Sequence, residues 1–126
     1  MAKLDGKKIL IAEDDNLLAQ MLAKKLSAEN GTVDHAADGE AALGMLKEKK
    51  YDVVLLDLML PKIDGFGVLG SIGTIDMAKG TPVIILSNLG QKADVEKGTA
   101  LGAKKFLIKA ILSLDDIADS ILEVLK

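Results

Sequence analysis

Four short apolar runs punctuate this chain, and each ends on or runs into polar residues. "KILIA" (8–12) leads into Glu13-Asp14-Asp15, and "DVVLLD" (52–57) closes on Asp57. "PVIILS" (82–87) closes on Ser87 with Asn88 behind it, and "KFLIK" (105–109) closes on Lys109. Aliphatic runs of this length, without polar alternation, suit strands covered on both faces. A fifth run, "TVDHA" (32–36), is thinner in apolar residues and is expected at a sheet edge.

The stretches between them carry helical spacing. Leu18, Met21, Leu22 and Leu26 fall on one face of a helix over 16–29, which Asn30-Gly31 ends in a left-handed turn. Asp15 or Asn16 caps that helix, and Asp38 caps a second over 39–50. A third begins at Gly65, where Gly67, Gly70 and Gly73 each weaken it by about 1 kcal/mol relative to Ala. A fourth runs over 92–102. Ser113 and Asp116 form a capping box for a fifth, with Leu114, Ile117, Ile121, Leu122 and Leu125 facing inward. Five strand–helix units imply an α/β fold, a doubly wound parallel sheet of the flavodoxin-like order 2-1-3-4-5.

Composition narrows the chemistry. The 126 residues suffice for one domain, read here as residues 1–126, and 49% hydrophobic against 28% charged is a globular balance. With two Phe, one Tyr and no Trp, the core must be aliphatic. The absence of Cys excludes disulfides, thiolate metal sites and cysteine nucleophiles. A net charge of −3 with no Arg argues against direct nucleic-acid binding. No apolar run is long enough to span a bilayer and the first eight residues are no signal peptide, so a cytoplasmic domain without membrane contact is expected.

In a doubly wound sheet, ligands bind beyond the carboxyl ends of the strands. Those ends carry Glu13-Asp14-Asp15, Asp57, Ser87-Asn88 and Lys109. Strands one and three are neighbours in the expected order, so their acids converge. Two carboxylates about 4 Å apart repel by several kcal/mol at an effective dielectric near 20, and require a shared proton, a lysine or a hard cation. Sulfur-free oxygen ligation suits Mg²⁺ or Mn²⁺. Taken singly, each residue has a plain structural role as a cap, a turn or a solvated strand end. Together they are the parts of a carboxylate nucleophile: Asp57 attacks a phosphoryl group, Lys109 and the metal neutralise its oxygens, and Ser87 hydrogen-bonds one of them.

With "ILIAEDD", "DVVLLDLMLPKIDGFGVL", "PVIILSN" and "GAKKFLIKA" in place, the chain resembles a response-regulator receiver domain of two-component signalling, of the single-domain chemotaxis-regulator kind. The resemblance covers essentially its whole length. It implies that Asp57 is the phosphoacceptor, and that Glu13 and Asp14 bind Mg²⁺ with it, joined by the backbone carbonyl of Met59. It also implies that Ser87 is the switch hydroxyl, Lys109 the phosphate-contacting lysine and Phe106 the switch aromatic, which together reshape the surface of helix four, strand five and helix five. The implied partners are a histidine kinase or histidine phosphotransfer protein and a downstream protein target. The chain is then a monomer or a phosphorylation-dependent dimer, and no enzyme beyond its own phosphotransfer and slow dephosphorylation.

Some positions depart from the family's pattern. Ala110 follows Lys109 in place of a cis proline; a cis bond there costs about 2.5–4 kcal/mol, so a trans loop or a strained exception is expected. Asn88 replaces a small residue, and Phe106 lacks a tyrosine's hydroxyl, leaving open a plain core or surface role. Met59 and Leu89, flanking the phosphoryl group, carry no side chain able to orient a water, which predicts a long-lived aspartyl phosphate. Three rivals stand beside this reading. An aspartate-nucleophile phosphohydrolase wants a second acid where Met59 stands. A nucleoside-triphosphate binder lacks its phosphate-cradling loop. A pseudo-receiver is a pure interaction module.

Other features read more plainly. The G-x-G-x-x-G at Gly65, Gly67 and Gly70 fails as a dinucleotide fingerprint, because Leu58 to Asp64 separate it from its strand and no acid ends the next one. His35, the single histidine, is expected far from the strand-end cluster, Met21 and Met45 in the core, and "KEKK" (47–50) at a solvated helix end.

Overall fold

The computed structural model describes residues 3–88 and 90–125. In chain order its elements are β1 (Lys8–Ala12), α1 (Asn16–Ser27), β2 (Thr32–Ala36), α2 (Gly39–Glu48), β3 (Val53–Leu56) and α3 (Gly65–Ile72). These are followed by β4 (Val83–Ser87), α4 (Lys92–Ala100), β5 (Lys105–Ile108), a 3₁₀ turn (Lys109–Ile111) and α5 (Leu114–Leu125). The five strands form one parallel sheet in the order β2-β1-β3-β4-β5. That is the expected flavodoxin-like topology, with β2 at an edge.

Strand alternation sorts the core into two halves. Leu10, Ala12, Val54, Leu56, Val83 and Ile85 face α2 and α3, packing on Ala42, Leu46, Val68, Leu69 and Ile72. Ile9, Ile11, Val53, Leu55, Ile84 and Leu86 face α1 and α5, packing on Leu22, Leu26, Ile117 and Ile121. Each of the Val, Leu and Ile side chains among them contributes about 1.5–3 kcal/mol by leaving water. Because both faces are covered, the central strands carry no polar residue between the exposed Lys8 that opens β1 and their carboxyl ends. Among the described residues no helix is long and apolar enough to cross a membrane.

The caps follow the sequence closely. Asp15 caps α1 by accepting from the Leu18 N–H, and Asp38 caps α2 by accepting from the Ala41 N–H. Ser113 and Asp116 exchange backbone hydrogen bonds at 3.1 and 3.0 Å, the reciprocal box that opens α5.

Several helix ends are shorter than expected. The chain after α1 tightens into three-residue spacing, with the Glu29 N–H on the Leu26 carbonyl and the Asn30 N–H on the Ser27 carbonyl. Asn30, at φ 65°, is the left-handed residue of the expected pair. α2 stops at Glu48, where Lys49 turns extended and its ammonium pairs with Asp34 at 3.1 Å; "KEKK" is therefore a helix end tied to the edge strand. α3 is short, and Gly73 caps it instead of lying within it. α4 stops at Ala100, ahead of Leu101 as its C-cap and Gly102 at φ 104°. Met21 is 44% exposed rather than in the core, since Ala19 takes the inward position, whereas Met45 packs against the α2–α3 side.

Candidate functional site

The polar strand ends converge at one edge of the sheet. The β1 ladder runs one residue past the strand, where the Glu13 N–H donates to the Ala36 carbonyl at 3.0 Å. The Asp57 N–H likewise donates to the Ala12 carbonyl at 2.9 Å, extending β3. These two bonds carry both carboxylates to the same height. Glu13 is 1% exposed and Asp57 4% exposed, while Asp14 stands in solvent. Oxygen atoms of all three lie within 4.8 Å of one another.

Lys109 enters from the 3₁₀ turn behind β5. Its ammonium donates to Asp57 Oδ2 at 2.9 Å and stands 2.5 Å from Glu13 Oε1. The chain reaches this position through a trans Lys109–Ala110 peptide, no cis bond occurring among the described residues. The lysine is the first residue of that turn, directly after the extended Ile108. Asp57 Oδ1 accepts from the Met59 N–H at 3.1 Å, and Glu13 Oε2 accepts from the Asp15 N–H at 3.0 Å. Glu13 Oε1 is buried beside the Lys109 ammonium, with the Asp57 carboxylate also acting on it.

Electrostatics follow from burial. Desolvation pushes the Glu13 carboxyl up to about 7; Lys109 and the Asp15 N–H oppose this, and repulsion from Asp57 adds to it. Burial alone lowers the Lys109 ammonium, but its hydrogen bonds to Glu13 and Asp57 outweigh that and hold it above its usual range. One ammonium among three carboxylates leaves two negative charges uncompensated when all ionise. A divalent, oxygen-seeking cation matches that deficit, and the three clustered carboxylates supply only oxygen donors, so the residues fit Mg²⁺ or Mn²⁺.

The loop after Asp57 is held by close backbone contact. The Gly65 N–H donates to the Leu58 carbonyl at 2.9 Å, and a Cβ at Gly65 would sit 2.3 Å from the Asp57 carbonyl oxygen. The first glycine of the G-x-G-x-x-G thus lets α3 start against the strand that bears Asp57. Met59 projects its side chain into solvent, 60% exposed. The position flanking it across the site, Leu89, lies outside the described residues.

Ser87 is fully buried at the end of β4, beside Ile108 in the β4–β5 register. Phe106 is half-buried against the α2–α3 side of the core, and α4 seats over it through Gly98, whose missing Cβ would lie 3.5 Å from the ring. Gly98 is the one buried residue of α4, which also lacks a side-chain cap at Gln91. This helix is weakly tied to the sheet.

His35 departs from its expected place. Its Nε2 lies 2.6 Å from the Glu13 backbone carbonyl, so the histidine touches the turn that carries the acidic pair. The sequence signal that could have found it is its position one residue before the end of the strand beside β1.

Residues 9–122 match the family described as the response regulator receiver domain. A probable transcriptional regulator, ycf27 of Guillardia theta, is 38% identical over 102 residues, covering 81% of this chain and 39% of its own length. The chain spans less than half the length of the curated relatives it matches first. The receiver domain of the Francisella response regulator 1452 superposes with a TM-score of 0.87 at 30% identity, over 95% of this chain and 97% of its own. The Vibrio cholerae chemotaxis protein CheY4 superposes with a TM-score of 0.87 at 25% identity, over 94% and 98%. This chain belongs to the receiver-domain family of two-component response regulators.

Proposed function

We propose that residues 1–126 work as one receiver module that takes a phosphoryl group onto Asp57 from a phosphorylated histidine kinase or histidine phosphotransfer protein. The carrying observation is the buried Asp57 carboxylate, bracketed by Lys109 at 2.9 Å and sharing a 4.8 Å cluster with Glu13 and Asp14. One Asp57 oxygen attacks phosphorus, a P–O bond forms, and the P–N bond of the donor breaks with its electron pair leaving on the imidazole nitrogen. Lys109 stabilises charge on the transferring oxygens, and the Met59 N–H orients the attacking carboxylate. Glu13, Asp14, Asp57 and the Met59 carbonyl hold Mg²⁺, or Mn²⁺, which supplies charge neutralisation to the phosphoryl oxygens.

Ser87 then hydrogen-bonds the phosphoryl group and Phe106 repacks behind it. The loosely anchored α4 shifts, changing the α4–β5–α5 surface that a downstream protein reads. The module is no enzyme beyond its own phosphotransfer and dephosphorylation, acts in the cytoplasm as a monomer or phosphorylation-dependent dimer, and touches neither membrane nor nucleic acid itself. Relatives named as transcriptional regulators extend beyond the matched segment, and DNA contact is assigned to those further parts. The reach of Lys109 to Asp57 through a trans peptide supports phosphate acceptance over a pseudo-receiver.

Incubation with acetyl phosphate and Mg²⁺, followed by intact-mass analysis, tests this. Wild type gains one phosphoryl mass and Asp57→Ala gains none; a wild type that stays unmodified refutes the reading.

A further inference from the structure

We propose that His35 is a positioning residue that clamps the acidic turn after β1 and thereby sets how tightly the protein holds its divalent cation. The inference rests on reading Glu13, Asp14 and Asp57 as that cation's ligands. His35 stands on β2 opposite Ile11, and its neighbour Ala36 is the residue whose carbonyl receives the Glu13 N–H. The His35 ring places Nε2 at 2.6 Å from the Glu13 carbonyl oxygen. A carbonyl oxygen only accepts, so Nε2 carries the hydrogen and the ring is the donor.

Both backbone polar groups of Glu13 are therefore bound to one strand, its N–H by a main-chain carbonyl and its C=O by a side chain. Its Oε2 is bound as well, by the Asp15 N–H. Its Oε1 is buried beside the Lys109 ammonium.

The Glu13 carbonyl matters for the next residue too. That C=O and the Asp14 N–H belong to one planar peptide unit, so a bond fixing the carbonyl fixes the plane from which Asp14 departs. Asp14 is exposed, so packing does little to orient it, and the plane of its peptide decides where its carboxylate points. His35 thus acts on two ligands through a single peptide group, without touching the cation. Groups that orient metal ligands in this way typically change affinity by about 10–100-fold when removed.

Two substitutions separate the clamp from bulk. His35→Leu keeps the volume and removes the donor, whereas His35→Gln restores an N–H at similar reach. Mg²⁺ affinity is measured by isothermal titration calorimetry, alongside thermal unfolding in EDTA to register any general loss of stability. The expected result is about tenfold weaker Mg²⁺ binding for His35→Leu and recovery of most of it by His35→Gln. Leu and wild type binding Mg²⁺ equally, or Gln binding as weakly as Leu, overturns the proposal.

Nitrogen NMR of the wild-type ring gives a check that needs no variant. A hydrogen on Nε2 supports the clamp, and a neutral ring protonated only at Nδ1 overturns it. If wild type binds no Mg²⁺, the ligand reading itself fails. Amide exchange at Glu13 and Asp15 then decides the clamp: faster exchange in His35→Leu supports it, and unchanged exchange refutes it.

Discussion

Glu13 should make the metal-free protein lose stability as pH rises, because the cost of burying its charge outweighs its pairing with Lys109. Burial lifts its carboxyl from 4.5 to about 7. Between those values the folded chain keeps a proton that the unfolded chain has released. The stabilisation from that proton is fully present below pH 4.5 and is lost as pH rises through about 7. A gap of about 2.5 pH units, at 1.36 kcal/mol per unit, gives about 3 kcal/mol. Asp34 and Asp116 are shifted downward from 3.8, so their stabilisation is present above that value and is lost only in more acidic solution. The assay is urea unfolding followed by far-ultraviolet circular dichroism, in EDTA, for wild type and Glu13→Gln across that window. Wild type should fall relative to Glu13→Gln by about 3 kcal/mol, because the amide has no proton to lose. Adding Mg²⁺ above pH 7 should restore stability to wild type, by about 2.7 kcal/mol at a hundredfold excess over Kd. Parallel pH curves for the two proteins would refute the argument that burial governs Glu13.

Gly65→Ala should destabilise by at least about 1–3 kcal/mol and impair phosphotransfer, since its Cβ would meet the Asp57 carbonyl at 2.3 Å. Gly70→Ala in the same helix has nothing within 4 Å of the new Cβ and should stabilise by about 0.5–1 kcal/mol; denaturant midpoints of the two variants moving the same way would contradict both. Met59→Asn puts a water-orienting amide at an exposed position whose N–H contacts Asp57, and should shorten the phosphoryl lifetime by up to about tenfold in a phosphate-release assay, below the 10²-fold or more of a positioned general base.

Which parts of this molecule were legible beforehand follows from the range of the interactions involved. The bounds of β1 are legible because burial on both faces of the sheet writes itself into consecutive apolar residues, and those of the half-buried β2 because Asn30-Gly31 and Asp38-Gly39 punctuate it on either side. The caps at Asp38 and Ser113 were legible because a side chain meets an N–H only three residues away. The ends of α1, α2 and α4 fall two residues short of the expected ones, because Ala28-Glu29, Lys49-Lys50 and Leu101-Gly102 carry no local signal that separates a last helical turn from the chain that leaves it. Met21 lies outside the core because the inward face of α1 runs through Ala19, Leu22 and Leu26, which leaves position 21 on the opposite, solvent side of the helix.

The site divides in the same way. Asp57, Glu13, Asp14, Ser87 and Lys109 could be named because each closes an apolar run, and a polar group at the end of a buried strand is informative on its own. Their geometry came from elsewhere. The 2.9 Å contact of Lys109 with Asp57 joins positions 52 residues apart, a pairing that only the neighbouring strands β3, β4 and β5 bring about. The place of His35 depends on the side chain reaching from β2 across to the end of β1, a contact between positions 22 residues apart. The sequence by itself determined the order of elements, the covered sheet and the identity of the polar strand ends, because these are set by local periodicity and by the chemistry of single residues. Only the tertiary structure decided which ends touch, which carboxylates share Lys109 and how far burial lifts Glu13, because desolvation and charge coupling are properties of neighbours brought together from distant parts of the chain.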